Sequence, residues 1–301
     1  MFRNRTILMC IAIIAVISYH LALRGIPIGR LNIGYAGVDI FMLLSGYGIG
    51  KSLLKNSVKQ FYKNRIHRIF PLWLFMILFD YAIKIFSGEE ATTMKDLLFD
   101  LSTISFYIHP NSLPEWYLAT LILFYLISPL YKYLLEKTGW ILLVIISVSI
   151  YSCYIIIGTT TWQYACAIPR FPLYLLGLTC ALKNKENISY SITIPLFLVG
   201  IYYFFQNNHY MFSSFCILLC IQIANKIIDK NSLFQTPIIQ WIGKHTLEIY
   251  VANVLSAILI KYIFVSEGKS ILILSDIFIT AILSISLWKV NSLIQKRLYS
   301  I

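Results

Sequence analysis

The chain has 301 residues, of which 58% are hydrophobic and only 13% charged, and its mean hydropathy is +0.74. Soluble domains carry about 25% charged residues, so a water-soluble globule is excluded and the bilayer is this protein's solvent. A formal net charge of +12 would raise nucleic-acid binding in a soluble protein. Here the Lys and Arg sit in short segments between apolar runs, which reads as membrane topology with no nucleic-acid partner.

A hydrocarbon core of about 30 Å needs about 20 helical residues. Apolar runs of that order fall at roughly 7–24, 34–54, 70–86, 114–135, 140–157, 162–182, 188–205, 211–228, 242–264 and 270–291. The expected fold is all-α, a polytopic integral membrane helix bundle of about ten transmembrane helices. It forms one domain over 1–301 with no appended soluble domain. The first run follows Arg3 and Arg5, lacks a small-residue cleavage site and continues through Ser18, Tyr19 and His20, so it is a retained helix rather than a signal peptide. Numbering the runs puts most of the 25 Lys and Arg on one side, including Arg3, Arg5, Lys51, Lys55, Lys59, Lys63, Arg65, Arg68, Lys132 and Lys137. Arg24, Arg30, Lys84, Lys95, Arg170, Lys261 and Lys269 fall on the other side or in the spans nearest it. That bias predicts both termini in the cytoplasm and a multi-pass protein of the cell inner (plasma) membrane.

The longest outer connection runs from about Ser87 to Leu113 and predicts a short interfacial helix over Met94–Leu101. Six cysteines (Cys10, Cys153, Cys166, Cys180, Cys216 and Cys220) all lie in apolar stretches without a C-x-x-C pair, so they read as small buried residues. No metal site is signalled.

Ionisable groups inside a span cost a few kcal/mol on insertion scales, about 2.5–3.5 for Arg or Asp, so each one is a candidate for function. Four stand out on the outer half: His20, Asp39, Glu115 beside Trp116, and Arg170 between Pro169 and Pro172. Prolines around a buried arginine break the helical hydrogen-bond ladder, which is tolerated where the helix faces protein or a polar cavity. The bland readings are an interfacial histidine bonded to a neighbouring helix, and a structural ion pair of Arg170 with Asp39 or Glu115. On the inner side, KNRIHRIFP sets Arg65 and Arg68 on one face of a helix expected to end at Pro71. Attraction to anionic lipid explains the lysines before it. Paired arginines point further, to bidentate phosphate recognition.

Six segments together resemble acyltransferase family 3, the polytopic membrane acyltransferases of envelope glycans. They are SYH ending the first span, GVDIFMLLSG (Gly37–Gly46), FYKNRIHRIFPLW (Phe61–Trp73), EWYLATLILFYLISPL (Glu115–Leu130), RFPLYLLG (Arg170–Gly177) and WIGKHTLEIYVAN (Trp241–Asn253). GVDIFMLLSG is the most specific of these. Two positions depart from the family pattern: Met9 stands where the family usually has an arginine, and Asn253 where the last motif often ends in histidine. Arg5, one helical turn before Met9 on the same face, is the candidate to replace the missing cation.

The resemblance implies acetyl-CoA, or another acyl-CoA, as the donor taken from the cytoplasm, and a hydroxyl of an envelope polysaccharide or its lipid-linked precursor as the acceptor. His20 is then the expected general base, with Asp39 orienting it. Arg65, Arg68 and Arg5 hold the donor phosphates. Arg170, Glu115 and Trp116 form the acceptor or oxyanion site. The competing readings are a transporter or flippase, which the lack of repeats and interrupted helix pairs disfavours, and a catalytically degenerate accessory subunit.

Overall fold

A computed structural model describes residues 1–23, 34–88, 93–109, 116–157, 161–263 and 269–299. Among the described residues the secondary structure is helical, with no strand. The helices are α1 (Arg5–Leu23), α2 (Ala36–Lys55), α3 (Val58–Phe86), α4 (Met94–Leu101), α5 (Ile104–Ile108), α6 (Trp116–Thr138), α7 (Trp140–Ile157), α8 (Trp162–Ala167), α9 (Phe171–Leu182), α10 (Tyr190–Phe205), α11 (His209–Lys230), α12 (Pro237–Lys244), α13 (Thr246–Ile263) and α14 (Lys269–Tyr299).

Among the described residues, six helical segments are long and apolar enough to cross a membrane: α1, α3, α6, α8 with α9, α11 and α14. Two more, α7 and α10, are apolar but shorter. The buried faces of α2 and α13 carry polar side chains, among them Asp39 and Ser45 on one and Glu248, Asn253 and Ser256 on the other, which lowers their hydropathy. Ile141, Val144, Ile145 and Val148 of α7, Leu198 and Phe205 of α10, and Leu274 and Phe278 of α14 all face outward. Apolar surface on that scale is untenable in water and natural in lipid, so this is a multi-pass membrane protein.

Three local expectations need correction. Helix α3 does not end at Pro71 but runs through it to Phe86, because a proline removes one amide hydrogen and the packed turns on both sides hold the helix. Its 29 residues span about 43 Å at 1.5 Å per residue, so the turn bearing Arg65 and Arg68 continues directly from the membrane-crossing part. The run at 242–264 divides at His245 into α12 and α13. Among the cysteines, Cys153 and Cys220 are exposed rather than buried. The short helix over Met94–Leu101 is present as expected, opened by a capping box in which Thr93 and Asp96 satisfy each other's backbone amides.

Helix α2 is the spine of the bundle and packs most closely against α9. A Cβ added at Gly46 would overlap the carbonyl of Tyr174, and one added at Gly177 would overlap the carbonyl of Leu43. Two helices can cross backbone to backbone at these glycines because neither carries a side chain there. Helices α13 and α14 are joined by polar rungs instead: Asn291 donates to Glu248 at 2.8 Å, and Ser256 donates to Asp276 at 2.5 Å.

Candidate functional site

Arg65 and Arg68 are three residues apart on α3 and so share a face, and Arg5 opens α1 beside them. All three line one cavity of about 150 Å³ with Met9, Ser45 and Gly48. A side chain at Gly48 would press on the guanidinium of Arg5, since its Cβ would stand 2.9 Å from Nη2. Arg5 also donates from Nε to the carbonyl of Leu44 at 3.4 Å, which turns its head toward the cavity. Arg5 and Met9 therefore line the same cavity, one helical turn apart. The cavity runs from this basic end toward Tyr117 of α6 and Tyr250 of α13, whose rings meet at 5.1 Å.

One turn beyond Tyr250 on α13 stands Asn253, 1% exposed. Its Oδ1 lies 2.6 Å from Nδ1 of His20, and its Nδ2 reaches Thr280 at 3.5 Å. With the amide held this way round, the carbonyl oxygen accepts and Nδ1 carries the proton, so the imidazole lone pair is on Nε2. Asn253 thus bonds to the ring that Asp39 was expected to orient. Its amide is uncharged, so a search for ionisable groups passed over it. The signal was available in its place at the end of the last motif.

Asp39 has other partners. It is fully buried, and its carboxylate meets Nε of Arg170 at 3.2 Å and Nη2 at 3.4 Å. Ser213 and Ser214 of α11 donate to its two oxygens at 2.7 and 2.8 Å. Arg170, 1% exposed, donates from Nη1 to the carbonyl of Cys166 at 2.7 Å and from Nη2 to that of Tyr35 at 3.0 Å. Its guanidinium lies over the rings of Trp116 and Tyr210 at 5.7 and 5.5 Å. Pro169 and Pro172 explain this position. They replace the α-helical ladder by a 3-10 turn over Ile168–Arg170 between α8 and α9, which leaves the Cys166 carbonyl for the guanidinium to satisfy. The cluster therefore ties α2, α9, α11 and the start of α6 together around one buried ion pair. The paired serines on an apolar helix were its unread sequence signal.

Glu115 lies outside the described residues, as do Arg24 and Arg30 of the charge map. Of the other site residues expected from sequence, Arg5, Arg65 and Arg68 meet in one cavity, and Asp39, Arg170 and Trp116 meet in one cluster. His20 is held on Asn253 near the end of α1.

The sequence matches the acyltransferase domain family over residues 7–289. Over 108 residues it is 36% identical to the peptidoglycan O-acetyltransferase OatA of Listeria monocytogenes, a stretch that makes up 34% of this chain and 16% of that protein. The chain thus matches about a sixth of the length of that curated relative. No solved structure matches. With nearly every residue inside one family match, and the motif residues meeting in two clusters and a histidine contact, the chain belongs to acyltransferase family 3.

Proposed function

We propose that this protein moves an acyl group, acetyl in the first instance, from acyl-CoA on the cytoplasmic side of the cell inner (plasma) membrane to a hydroxyl of an envelope glycan or its lipid-linked precursor. In this reading the chain crosses the membrane ten times, through α1, α2, α3, α6, α7, α8 with α9, α10, α11, α13 and α14. Both termini and the arginine cavity are then cytoplasmic, in keeping with the distribution of Lys and Arg.

The observation that carries the reading is the meeting of Arg5, Arg65 and Arg68 in one cavity that leads toward the helix holding His20. A volume of about 150 Å³ suits the acetyl thioester tip of the donor. The nucleotide stays at the mouth, where guanidinium groups pair with its phosphates. His20 accepts the proton of the sugar hydroxyl on Nε2. The hydroxyl oxygen bonds to the thioester carbonyl carbon, the tetrahedral intermediate collapses, the C–S bond breaks, and the coenzyme A thiolate leaves and takes up a proton. Asn253 keeps the imidazole in the acceptor tautomer and stabilises the imidazolium as the proton arrives. Arg170 and Asp39 serve as the clamp that fixes α2 against α9 and α11.

The deciding experiment uses proteoliposomes with radiolabelled acetyl-CoA on the cytoplasmic face and envelope glycolipid on the other. Label on glycan with the parent and none with His20→Ala is the expected result. Equal transfer by both would remove His20 from the mechanism.

A further inference from the structure

At the end of the bundle opposite the arginine cavity lies a larger cavity, of about 540 Å³, bounded by the ends of α1, α2, α7, α10 and α11. One part of its lining is aromatic. The Tyr35 ring meets Tyr19 at 5.8 Å and Tyr210 at 6.1 Å, both edge to face, and His209 at 6.3 Å. The other part is polar and hydrogen-bonding: Gln206 and Asn207 at the end of α10 and His209 at the start of α11, all exposed. Asn208 holds this turn in place, since its side chain accepts from the amide of Met211 at 3.2 Å and bonds to Tyr154.

Among the described residues that line the cavity there is no Asp, Glu, Lys or Arg. Tyrosine faces alternating with amides and an imidazole suit a pyranose ring, whose C–H face packs on aromatic carbon and whose hydroxyls pair with the amides. The cavity also abuts His20 on one side and the buried ion pair on another. Tyr19 precedes His20 and its ring lies 6.3 Å from the imidazole. Tyr35 and Tyr210 both touch Arg170, one through its carbonyl and the other through its ring.

We propose that this cavity is the acceptor subsite: one sugar residue of the glycan seats on the wall of Tyr19, Tyr35 and Tyr210, and Asn207 and His209 read its flanking hydroxyls. The inference rests on the acyl-transfer reading for its choice of a saccharide. It adds the place where that saccharide sits and the side chains that select it.

The test is binding, measured apart from turnover. Parent, Tyr35→Leu and Asn207→Gly proteins in lipid nanodiscs are titrated with muramidase-released peptidoglycan disaccharide, with neutral hexose oligosaccharides and, separately, with acetyl-CoA. Tyr35→Leu keeps the backbone carbonyl that Arg170 uses, and glycine accepts the φ of 57° at Asn207 without strain. The expected result is saccharide binding by the parent, weakened tenfold or more in each variant, with acetyl-CoA affinity within twofold throughout. A parent that binds none of the saccharides, or variants that bind them as tightly, would overturn the assignment. Saccharide binding lost in the variants, with no acetyl-CoA binding by any of the proteins, would uphold the subsite and sink the donor reading instead.

Discussion

Arg170→Met separates a clamp from a catalyst. The residue and its carboxylate partner are 1% and 0% exposed, so the substitution strips the buried Asp39 carboxyl of its counter-charge and leaves it the hydroxyls of Ser213 and Ser214. Removing one member of a buried pair costs about 3–5 kcal/mol. At about 2–4 °C per kcal/mol for larger domains, the apparent melting temperature falls by on the order of 10 °C. The double variant Asp39→Asn/Arg170→Met removes both charges at nearly constant volume, and replacing a whole buried pair is often neutral, so most of that loss returns. Fluorescence-detected unfolding of detergent-purified protein reads the stabilities, and acetyl transfer is measured on the same preparations. An Arg170→Met protein that melts like the parent yet transfers nothing would refute the clamp and return Arg170 to the oxyanion.

Asn253→Leu removes the acceptor of the His20 Nδ1 hydrogen at 2.6 Å. A lost buried hydrogen bond is worth about 1–3 kcal/mol, so kcat at saturating acetyl-CoA falls roughly 10- to 100-fold, while Asn253→His keeps an acceptor nitrogen and most of the activity; an undiminished kcat in the leucine variant contradicts the assignment. Replacing Arg65 or Arg68 by Ala removes one charge-assisted bond of about 1.5–3 kcal/mol, which appears as a KM for acetyl-CoA raised tenfold or more with kcat little changed, and a changed kcat at constant KM speaks against donor binding. Outside the membrane, hydrogen bonds from the side chain and amide of Thr93 hold the Asp96 carboxyl below its usual range. The cap is therefore fully formed above the unfolded carboxylate pKa of about 3.9 and is lost as pH falls through the lower folded value. Hydrogen-exchange protection factors over Met94–Leu101, that is the intrinsic rate at each pH divided by the observed rate, should be higher at pH 6 than near pH 3, and equal protection at both would deny the cap a role.

The helices were legible in the sequence wherever apolar length carried the signal. Met94–Leu101 appears with the boundaries expected, since Thr93 and Asp96 write a capping box at sequence level. Pro71 misled because chain-breaking chemistry is local, whereas the continuity of α3 comes from packing of the turns around it. Arg65 and Arg68 of the cavity were legible from charge and spacing, and Arg5 only through the family resemblance, as the cation one turn before Met9. The partner of His20 was not, because an asparagine in an apolar helix has no charge to flag it and its value depends on which helix faces it. The ion pair of Asp39 with Arg170 was among the sequence readings, but its serine partners were not, for the same reason: Ser213 and Ser214 lie more than 170 positions away in the chain and come near Asp39 only once α2 and α11 have packed.

The glycine crossing of α2 and α9 sets a fixed gauge inside the molecule. Asp39 of the buried cluster and Gly48 of the arginine cavity are on the same helix, nine residues or about 13 Å apart by helical rise. The carbonyls of Leu43 and Tyr174 seated against Gly177 and Gly46 leave that helix no slack to slide past its neighbour. The separation of the two chambers is therefore written in peptide geometry rather than in side-chain fit. Relatives can exchange the residues lining either chamber, and so change what each one admits, without altering the distance across which they work.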